Sequence, residues 1–549
     1  MANFASMSSL LQYVCLVGIM LSMPAAQAQQ VSASRSTGAE KAPVVHVTGG
    51  RIAGIADTAH QLHIFLGIPY AAPPVGDLRW KAPQPVKPWQ GIRVCTHFGH
   101  RPMQKRIFSD MRFRSDTTSE DCLYLNVWAP AHPGKTPYPV LVYFYGGGFV
   151  AGDGSEWRYD GASLAQKGIV VVTVNYRLGI FGFFAHPELT RESPHHASGN
   201  YGLLDQQAAL QWVHDNIAAF GGDPRRVTIG GESAGSISVC AQMASPLSRH
   251  LIAGAIGESG AMIKPTIPAV PLSEAEAEGL RFAARIGAHS LKELRAIPAE
   301  KLLDLASQPG AFRVMPCVDG YFFPQAPDSL FAEGKQAHVP LLVGWNSTEV
   351  PYMALMQGKA PTPENYTAVI RQLFGGQADE ALKLFPGHTE EEVIQSATTL
   401  ASDRFIVYST WKWAELHRHT GQQPVYTYIF THPRPQEVHP HPQQQQPQPP
   451  PLKGAGHSWE IEYALGNLST NPVYAWTPAD YQVSQIMEDY FARFIQTGNP
   501  NGDELPRWPA NGPRPPLYLM YIDTTAEARP ETPQQRAQFQ FLDQWYRQH

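Results

Sequence analysis

The feature that most constrains this chain is a glycine-flanked serine between a strand pattern and a helix pattern. The residues Gly-Glu-Ser-Ala-Gly at 231–235 follow the β-branched run Val227–Ile229 and precede a helix-like stretch that continues to Ala244. A turn of the type Gly-x-Ser-x-Gly bends the backbone sharply and lifts the serine hydroxyl out of it, and a side chain at either glycine would clash across the bend. Short motifs also arise by chance, but the surrounding strand and helix patterns favour the interpretation of Ser233 as a nucleophile.

Strand patterns alternate with helix patterns along most of the chain. Apolar, β-branched runs bounded by turn residues predict strands, and residues with helical spacing between them predict helices. The predicted strands are Val140–Tyr145, Ile169–Val174, Val227–Ile229, Ala253–Glu258, Pro340–Gly344 and Val425–Phe430, and the predicted helical segments are Leu203–Ala219, 273–306, 363–420 and Tyr481–Gln496. Residues 44–90 have the pattern of β-meanders and their loops. The alternation predicts an α/β fold with a mainly parallel central sheet, helices on both faces and helical insertions.

Three consecutive glycines, Gly146–Gly148, follow the predicted strand Val140–Tyr145. A serine hydroxyl is a weak nucleophile until a base activates it, and the negative charge that develops on a substrate oxygen needs hydrogen-bond donors. Glycine N–H groups can face such an oxygen without obstruction by side chains. We therefore expect the backbone N–H groups of Gly147, Gly148 and Ala234 to form an oxyanion hole, with an ordinary glycine-rich turn as the alternative.

Four further motifs make the chain resemble one family of enzymes. They are Gly-Ile-Pro-Tyr-Ala at 67–71, Glu-Asp-Cys-Leu-Tyr-Leu-Asn-Val at 120–127, Asn-Tyr-Arg-Leu-Gly at 175–179, and Phe-Gly-Gly-Asp-Pro at 220–224. In this order they resemble the type-B carboxylesterase and cholinesterase family, in particular its bacterial para-nitrobenzyl-esterase-like members, from about residue 44 onward. The resemblance implies an α/β-hydrolase fold and a serine carboxylic-ester hydrolase that acts through a Ser-His-Glu triad and an acyl-enzyme intermediate.

The resemblance also implies which residues complete the triad. Asn-Ser-Thr-Glu at 346–349 is similar to the stretch that carries the family's acid, and Gly-Ala-Gly-His-Ser-Trp-Glu at 454–460 resembles its histidine loop. Glu349 is therefore the expected acid and His457 the expected base. Two other acids would also satisfy the chain order serine, acid, histidine, and they stay open as alternatives: Asp319 and Asp403.

Supporting residues are implied in the same way. Ser259 matches a serine that bonds to the triad in the family, although a structural serine at the end of a strand is an alternative, and Glu232 adjoins the nucleophile. Family members commonly pair the cysteine of the Glu-Asp-Cys motif with one shortly upstream, where this chain has Pro102. Cys95 lies seven residues earlier, so a disulfide between Cys95 and Cys122 is left open.

Composition bounds the partners of the chain. Charged residues make up 16% of it, the net charge is −5, and no basic block is long enough to bind phosphates, so nucleic acid is not expected. No Cys-x-x-Cys or paired Cys/His pattern occurs, so neither a metal nor another cofactor is implied. The expected partner is a small-molecule ester, and the aromatic residues near the motifs favour a bulky or aryl one, with core packing of these residues as the alternative. The oligomeric state is not readable from the sequence.

The N-terminus resembles an export signal. The apolar run Leu10–Leu21 is followed by Ala-Gln-Ala at 26–28, which has the small-x-small form of a signal-peptidase site. We expect a signal peptide at 1–28 that is cleaved near Ala28, giving a periplasmic or secreted protein, with an uncleaved anchor as the alternative. The other expected segments are a flexible linker at 29–43, one α/β-hydrolase domain at 44–549 and a low-complexity Pro/Gln-rich loop at 439–451.

Two other functions are compatible with the same fold. A cholinesterase-like binding module would keep the fold without catalysis, but it would have no reason to keep a nucleophile, an acid and a base after separate strands. An amidase would use the same triad, so the sequence does not separate it from an esterase. The physiological ester also stays open, because inserted loops form the pocket walls in this fold.

Overall fold

Runs of β-branched and aromatic residues form the strands, in keeping with their preference for pleated surfaces. The computed structural model describes residues 42–438 and 454–549, so the expected signal peptide, nearly all of the linker and the low-complexity loop lie outside the described residues. The strands are β1 (Val44–Val47), β2 (Gly50–Ala53), β3 (Ile55–Asp57), β4 (Leu62–Pro69), β5 (Ile92–Val94), β6 (Arg101–Pro102), β7 (Thr118–Ser119), β8 (Tyr124–Pro130), β9 (Tyr138–Phe144), β10 (Val170–Val174), β11 (Gly222–Glu232), β12 (Gly254–Glu258), β13 (Val270–Pro271), β14 (Cys317–Val318), β15 (Leu341–Asn346), β16 (Val425–Phe430), β17 (Tyr518–Ile522) and β18 (Ala526–Pro530).

Eleven of these strands form one sheet in the order β18-β17-β16-β15-β12-β11-β9-β10-β8-β4-β3. All neighbours from β17 to β10 pair in parallel. The strands at both edges pair antiparallel. The described residues also form three smaller sheets. One contains β1, β2 and β5, the second contains β13 and β14, and the third contains β6 and β7. The prediction of an α/β fold with a mainly parallel sheet is therefore confirmed.

Helices connect the parallel strands and form the insertions. The α-helices are Ala162–Gln166, Gly179–Phe183, Pro187–Glu192, Tyr201–Asn216, Ala234–Ala244, Leu272–Arg285, Leu291–Ala296, Ala299–Ala306, Pro327–Ala332, Met353–Met356, Pro363–Phe374, Ala378–Leu384, Glu390–Ser402, Tyr408–Thr420, Ile461–Ala464, Pro478–Thr497 and Pro533–Gln548. A π-helix at Asp403–Val407 interrupts the second insertion. No helix within the described ranges is long and apolar enough to cross a membrane.

The sequence patterns locate the central strands well and the edges poorly. The strand Val425–Phe430 has the predicted bounds, and the other predicted strands of the sheet overlap observed ones. Of the strands and loops predicted for 44–90, the strands β1 to β4 end at Pro69, and residues 70–91 form a loop with one 3₁₀ turn. Among the elements that the sequence patterns did not predict are β8, the hairpin of β17 and β18, and the helix Pro533–Gln548.

The core follows from the burial of the parallel strands on both faces. Every residue of β10 and of β16 is buried, which matches their near-continuous apolar sequences. A second apolar cluster lies where the insertion at 363–420 packs on the helix Pro533–Gln548, for example through the stacked rings of Trp411 and Phe539, whose centroids are 4.8 Å apart. The insertion is thus tied to the C-terminal helix that sequence patterns missed.

The four cysteines within the described residues are buried free thiols. Cys95 and Cys122 are not joined, so the disulfide that the family resemblance left open is absent from the structure. Burial raises the pKa of the Cys95 thiol to about 11, which keeps it protonated and unreactive at neutral pH.

The buried side chain of His417, in the helix Tyr408–Thr420, should make the free energy of unfolding depend on pH. The ring of His417 is fully buried, and its Nε2 lies 2.8 Å from the carbonyl oxygen of Val339. Burial lowers the pKa of His417 to about 4. The folded-state pKa lies below the unfolded value of about 6.5. The contribution of His417 to the free energy of unfolding is therefore fully present above pH 6.5 and is lost as the pH falls toward 4.

We expect His417→Gln to remove this pH dependence, because glutamine keeps a donor for Val339 but cannot become charged. In the parent protein, His417 should account for a loss of about 3 kcal/mol in the free energy of unfolding between neutral pH and pH 4. Urea unfolding at several pH values measures it. His419→Gln, a change at a half-exposed position of the same helix, serves as the control and should keep the parent slope. An unchanged slope in His417→Gln would contradict the assignment.

Candidate active site

The chain bends sharply at Ser233, between β11 and the helix Ala234–Ala244. Ser233 has φ +55° and ψ −120°, a conformation that residues other than glycine adopt only under strain. The flanking glycines permit the bend: a Cβ at Gly235 would lie 2.0 Å from the carbonyl oxygen of Phe144, and one at Gly231 would lie 2.5 Å from it. Both glycines of the motif are therefore required by close backbone contact.

The sheet brings three side chains together that lie far apart in the sequence. Ser233 follows β11, Glu349 follows β15, and His457 follows β16 after a long connection. Nε2 of His457 lies 3.0 Å from Oγ of Ser233, and Nδ1 lies 2.6 Å from Oε2 of Glu349. Since parallel strands end at the same edge of a sheet, these residues meet there. The arrangement is that of a nucleophile, a base and an orienting acid.

The carboxylate of Glu349 is held from its other side. Its Oε1 accepts hydrogen bonds from the hydroxyl of Ser259 at 2.6 Å and from the backbone N–H of Asn346 at 2.8 Å. The backbone N–H of His457 donates to the carbonyl oxygen of Glu349 at 3.2 Å. These contacts leave the acid fully buried and limit its movement, and they place Ser259 against the acid rather than at an isolated strand end.

The two alternative acids lie in other surroundings. Asp319 accepts hydrogen bonds from the backbone N–H groups of Phe322 and Phe323, at 2.8 and 3.0 Å, and so closes a turn. Asp403 begins the π-helix, where burial raises its pKa to about 8. Of the three candidate acids, only Glu349 has a hydrogen bond to His457 within the described residues.

The glycine loop after β9 lies against the serine turn. A Cβ at Gly146 would lie 3.2 Å from Cβ of Ser233, so the loop passes within contact distance of the nucleophile. Gly147 and Gly148 have φ values of +108° and +63°, which favour glycine. Ala234 is the first residue of its helix, where N–H groups have no intrahelical acceptor and the helix dipole favours negative charge. The loop that carries Gly147 and Gly148 thus begins beside Ser233, and Ala234 follows Ser233 directly in the chain.

Acidic neighbours dominate the electrostatics of His457. Burial alone would lower its pKa, but the carboxylates of Glu232 and Glu349 outweigh burial and raise the pKa to about 9. Oε1 of Glu232 lies 3.3 Å from Nε2, the same nitrogen that faces Ser233. Glu232, expected only as a neighbour of the nucleophile, is thus in direct contact with the base.

Several residues at the site were not identified from the sequence. Glu460 is buried near the imidazole, Glu258 is buried beside Glu232 on the neighbouring strand, and the ring of Phe405 lies edge-on to that of His457 with centroids 5.0 Å apart. The signals were available for two of them, because Glu258 precedes Ser259 and Glu460 ends the motif at 454–460. Among the described residues, no group of three or more His, Cys, Asp or Glu side chains could hold a metal ion.

A strained serine turn at the carboxyl edge of a mainly parallel sheet defines a class of proteins, and the structure is that of an α/β-hydrolase. Within this class the chain belongs to the carboxylesterase family, whose model matches residues 41–541. The protein is therefore a carboxylesterase-family enzyme, which acts on carboxylic ester bonds.

Individual relatives carry esterase names. The chain is 35% identical to the fumonisin B1 esterase of Sphingopyxis macrogoltabida over 496 residues, which are 85% of this chain and 84% of that protein. It is 34% identical to the para-nitrobenzyl esterase of Bacillus subtilis (strain 168), covering 85% of this chain and 92% of the relative. A solved structure of a PNB esterase superposes with a TM-score of 0.75 at 32% identity, covering 91% of this chain and 99% of that one. The expected family and fold are confirmed.

We expect Gly235→Ala to destabilise the protein by at least about 3 kcal/mol, because the added Cβ would overlap the carbonyl oxygen of Phe144. Thermal and urea unfolding measure the loss, and ester hydrolysis should fall with it because the turn must move. Gly376→Ala is the matched control, since a Cβ there meets no atom within 4 Å. Equal stability of the two variants would show that the turn tolerates a side chain.

Proposed function

We propose that the protein hydrolyses carboxylic esters through a Ser233–His457–Glu349 triad and an acyl-enzyme intermediate. The observation that carries the proposal is the position of the imidazole, with Nε2 3.0 Å from Oγ of Ser233 and Nδ1 2.6 Å from Oε2 of Glu349. Such a pair of contacts lets one nitrogen accept a proton while the other is held as a donor.

In the first half of the reaction the hydroxyl of Ser233 attacks the ester carbonyl carbon, and Nε2 of His457 takes the hydroxyl proton. The carbonyl oxygen becomes an oxyanion, which the N–H groups of Gly147, Gly148 and Ala234 bind. Each such donor is worth about 10²–10³ in turnover. His457 then returns its proton to the leaving alcohol as the C–O bond breaks, and the acyl group stays on Ser233.

In the second half a water molecule replaces the alcohol. His457 removes a proton from the water, which attacks the acyl carbon and forms a second oxyanion at the same three donors. The imidazolium then returns its proton to Oγ of Ser233, and the carboxylic acid leaves. The carboxylate of Glu349 stabilises the imidazolium, while Ser259 and the backbone of Asn346 keep it aligned.

The substrate class we propose is a small-molecule ester with a bulky or aryl group. The edge-on ring of Phe405 at 5.0 Å from His457 and the partly buried Trp459 beside the histidine supply apolar surface next to the reacting atoms. The names of the Sphingopyxis and Bacillus relatives, a fumonisin B1 esterase and a para-nitrobenzyl esterase, support an ester of this size. An amidase with the same triad would show itself by comparable rates on matched anilides.

The proposal also covers the rest of the chain. Residues 44–549 form one α/β-hydrolase domain, and the segment 1–28 is a signal peptide whose removal near Ala28 exports the enzyme to the periplasm or the medium. The family match over 41–541 supports the first statement, and the apolar run with its Ala-Gln-Ala site supports the second.

We expect Ser233→Ala to lower kcat/KM for short-chain p-nitrophenyl esters by about 10⁴-fold or more while the fold persists, because no other group supplies the alkoxide. An organophosphate probe should label the parent protein at Ser233 and leave Ser233→Ala unlabelled. Ser245→Ala, at the other end of the same helix, is the matched control and should keep both activity and label. Equal rates in parent and Ser233→Ala would refute the proposal and favour a binding module.

We expect Glu349→Gln to lower kcat about 10⁴-fold, because an amide cannot stabilise the imidazolium and favours the wrong ring tautomer. Steady-state kinetics at neutral pH measure the loss. Asp403→Asn is the control that tests an alternative acid, and it should keep activity because its raised pKa leaves Asp403 largely neutral there. A larger loss in Asp403→Asn than in Glu349→Gln would reverse the assignment.

A further inference from the structure

Three glutamates are buried next to one another, and two of them, Glu232 and Glu460, act on the imidazole of His457. Glu232 ends β11 and Glu258 ends β12, and the two are direct partners in the register of these parallel strands. Glu460 belongs to the histidine loop and caps the helix Ile461–Ala464. All three are buried, with exposed fractions of 2%, 0% and 0%. We call Glu232, Glu258 and Glu460 the buried carboxyl cluster.

Hydrogen bonds satisfy only part of the buried carboxyl cluster. Oε1 of Glu258 accepts from the hydroxyl of Tyr143 at 2.9 Å, and Oε2 of Glu460 accepts from the amide of Asn346 at 2.5 Å. Oε2 of Glu258 and Oε1 of Glu460 have no hydrogen-bond partner among the described residues. The hydroxyl of Tyr428 is buried and also has no hydrogen-bond partner among the described residues. Burial raises the pKa of Tyr428, and all three members of the cluster raise it further.

Ionised carboxylates would make this arrangement impossible to satisfy. A carboxylate only accepts hydrogen bonds, so a hydrogen bond between two carboxyl groups of the cluster requires that one of them carries a proton. Arg158 is already bonded to Glu156 at 2.6 Å and to Asp110 at 3.0 Å, which leaves the imidazole of His457, 3.3 Å from Oε1 of Glu232, as the group that could balance part of the charge. Like charges buried together drive protonation of one or more members.

The titration of the cluster agrees with its geometry. Burial raises the pKa of Glu232 to about 8 despite the opposing effect of His457. Burial and Glu349 raise the pKa of Glu460 to about 7. Burial, with Glu460 and Glu232 adding to it, raises the pKa of Glu258 well above its usual range. Glu258 is therefore the member that stays neutral over the widest pH range.

We propose that Glu232, Glu258 and Glu460 share protons at neutral pH, that Glu258 is neutral throughout the working range, and that a shared proton leaves Glu232 partly neutral beside the base His457. The inference rests on the proposed function, because it concerns how the same base is kept ready. The proposal specifies how many protons the buried carboxyl cluster holds. One proton is on Glu258, and a second is divided between Glu232 and Glu460.

The proposal explains how His457 can act as a base beside a glutamate. A fully ionised Glu232, 3.3 Å from Nε2, would hold the ring as an imidazolium that cannot accept the proton of Ser233. A proton on the carboxyl leaves Nε2 free. The groups that face the cluster, and that share in its titration, are His457, Glu349, Arg158, Tyr143 and Tyr428.

The proton count can be measured on the resting protein without substrate. Infrared difference spectroscopy of the parent against Glu258→Gln at neutral pH should show the carbonyl stretch of a protonated carboxyl in the parent alone, shifted in deuterium oxide. Glu333→Gln, which removes a surface carboxylate, is the control and should leave that signal unchanged. Tyr143→Phe gives a second test that keeps the carboxyl, because loss of the Tyr143 hydrogen bond should shift its frequency. Identical spectra for parent, Glu258→Gln and Tyr143→Phe would overturn the proposal.

The pH profile of kcat/KM gives the second measurement. Glu258→Gln exchanges a neutral carboxyl for a neutral amide, so the acid limb should keep the apparent pKa of the parent. Glu232→Gln and Glu460→Gln remove charge near the ring and should lower the proton affinity of His457 about tenfold, with the larger effect at Glu232. A Glu258→Gln profile that moves as far as that of Glu460→Gln would show that Glu258 is ionised and would overturn the proposal.

These measurements distinguish a failure of the proposed function from a failure of the shared-proton proposal. If the parent protein hydrolysed no ester, the proposed function would fail, whereas the infrared signal and the ring titration of His457 by NMR in Ser233→Ala would still report the proton count. If hydrolysis were normal and the protonated carboxyl absent, only the shared-proton proposal would fail.

Discussion

The backbone turn at Ser233 is the constraint on which the site depends. Its strained conformation, which costs on the order of 1–3 kcal/mol, persists because buried strands hold it on both sides. The N–H of Ser233 donates to the carbonyl oxygen of Glu258 at 2.8 Å, and Gly231 and Gly235 press against Phe144 at the end of β9. Relief of the strain would require three strands to separate, so the height of the hydroxyl above the sheet is fixed before any substrate binds.

A parallel sheet allows a long chain to position these side chains accurately. The nucleophile, the acid and the base follow β11, β15 and β16, so each needs only a short or well-anchored connection to one rigid edge. Short contacts then lock the loops together, as when Asn346, the last residue of β15, donates through its side chain to the carbonyl oxygen of Gly456 at 2.7 Å. The histidine loop is therefore positioned by the strand that carries the acid, and the two move as one unit.

How far the sequence predicts this structure depends on how local each signal is. The buried parallel strands were predictable because burial on both faces leaves continuous apolar runs such as Val425–Phe430. The edge hairpin of β17 and β18 follows a proline-rich stretch and has one open side, so its pattern is weak. Ser233 could be identified from its local strand-turn-helix pattern, whereas Glu349 and His457 were expected only from the family resemblance. Glu258 and Glu460 were missed because nothing local distinguishes a glutamate that tertiary contacts will bury from one on the surface.

Buried carboxyls next to a triad look unfavourable for folding, since apolar side chains of similar size are often at least as stable. The same low dielectric that makes these groups costly also strengthens the interactions that catalysis uses, namely Glu349 with the imidazolium and backbone N–H groups with an oxyanion. A site dry enough for strong oxyanion binding cannot keep every neighbouring carboxylate charged. The proposed protonation of part of the buried carboxyl cluster would reconcile the two demands, because it removes excess negative charge around Glu349, whose carboxylate accepts three hydrogen bonds.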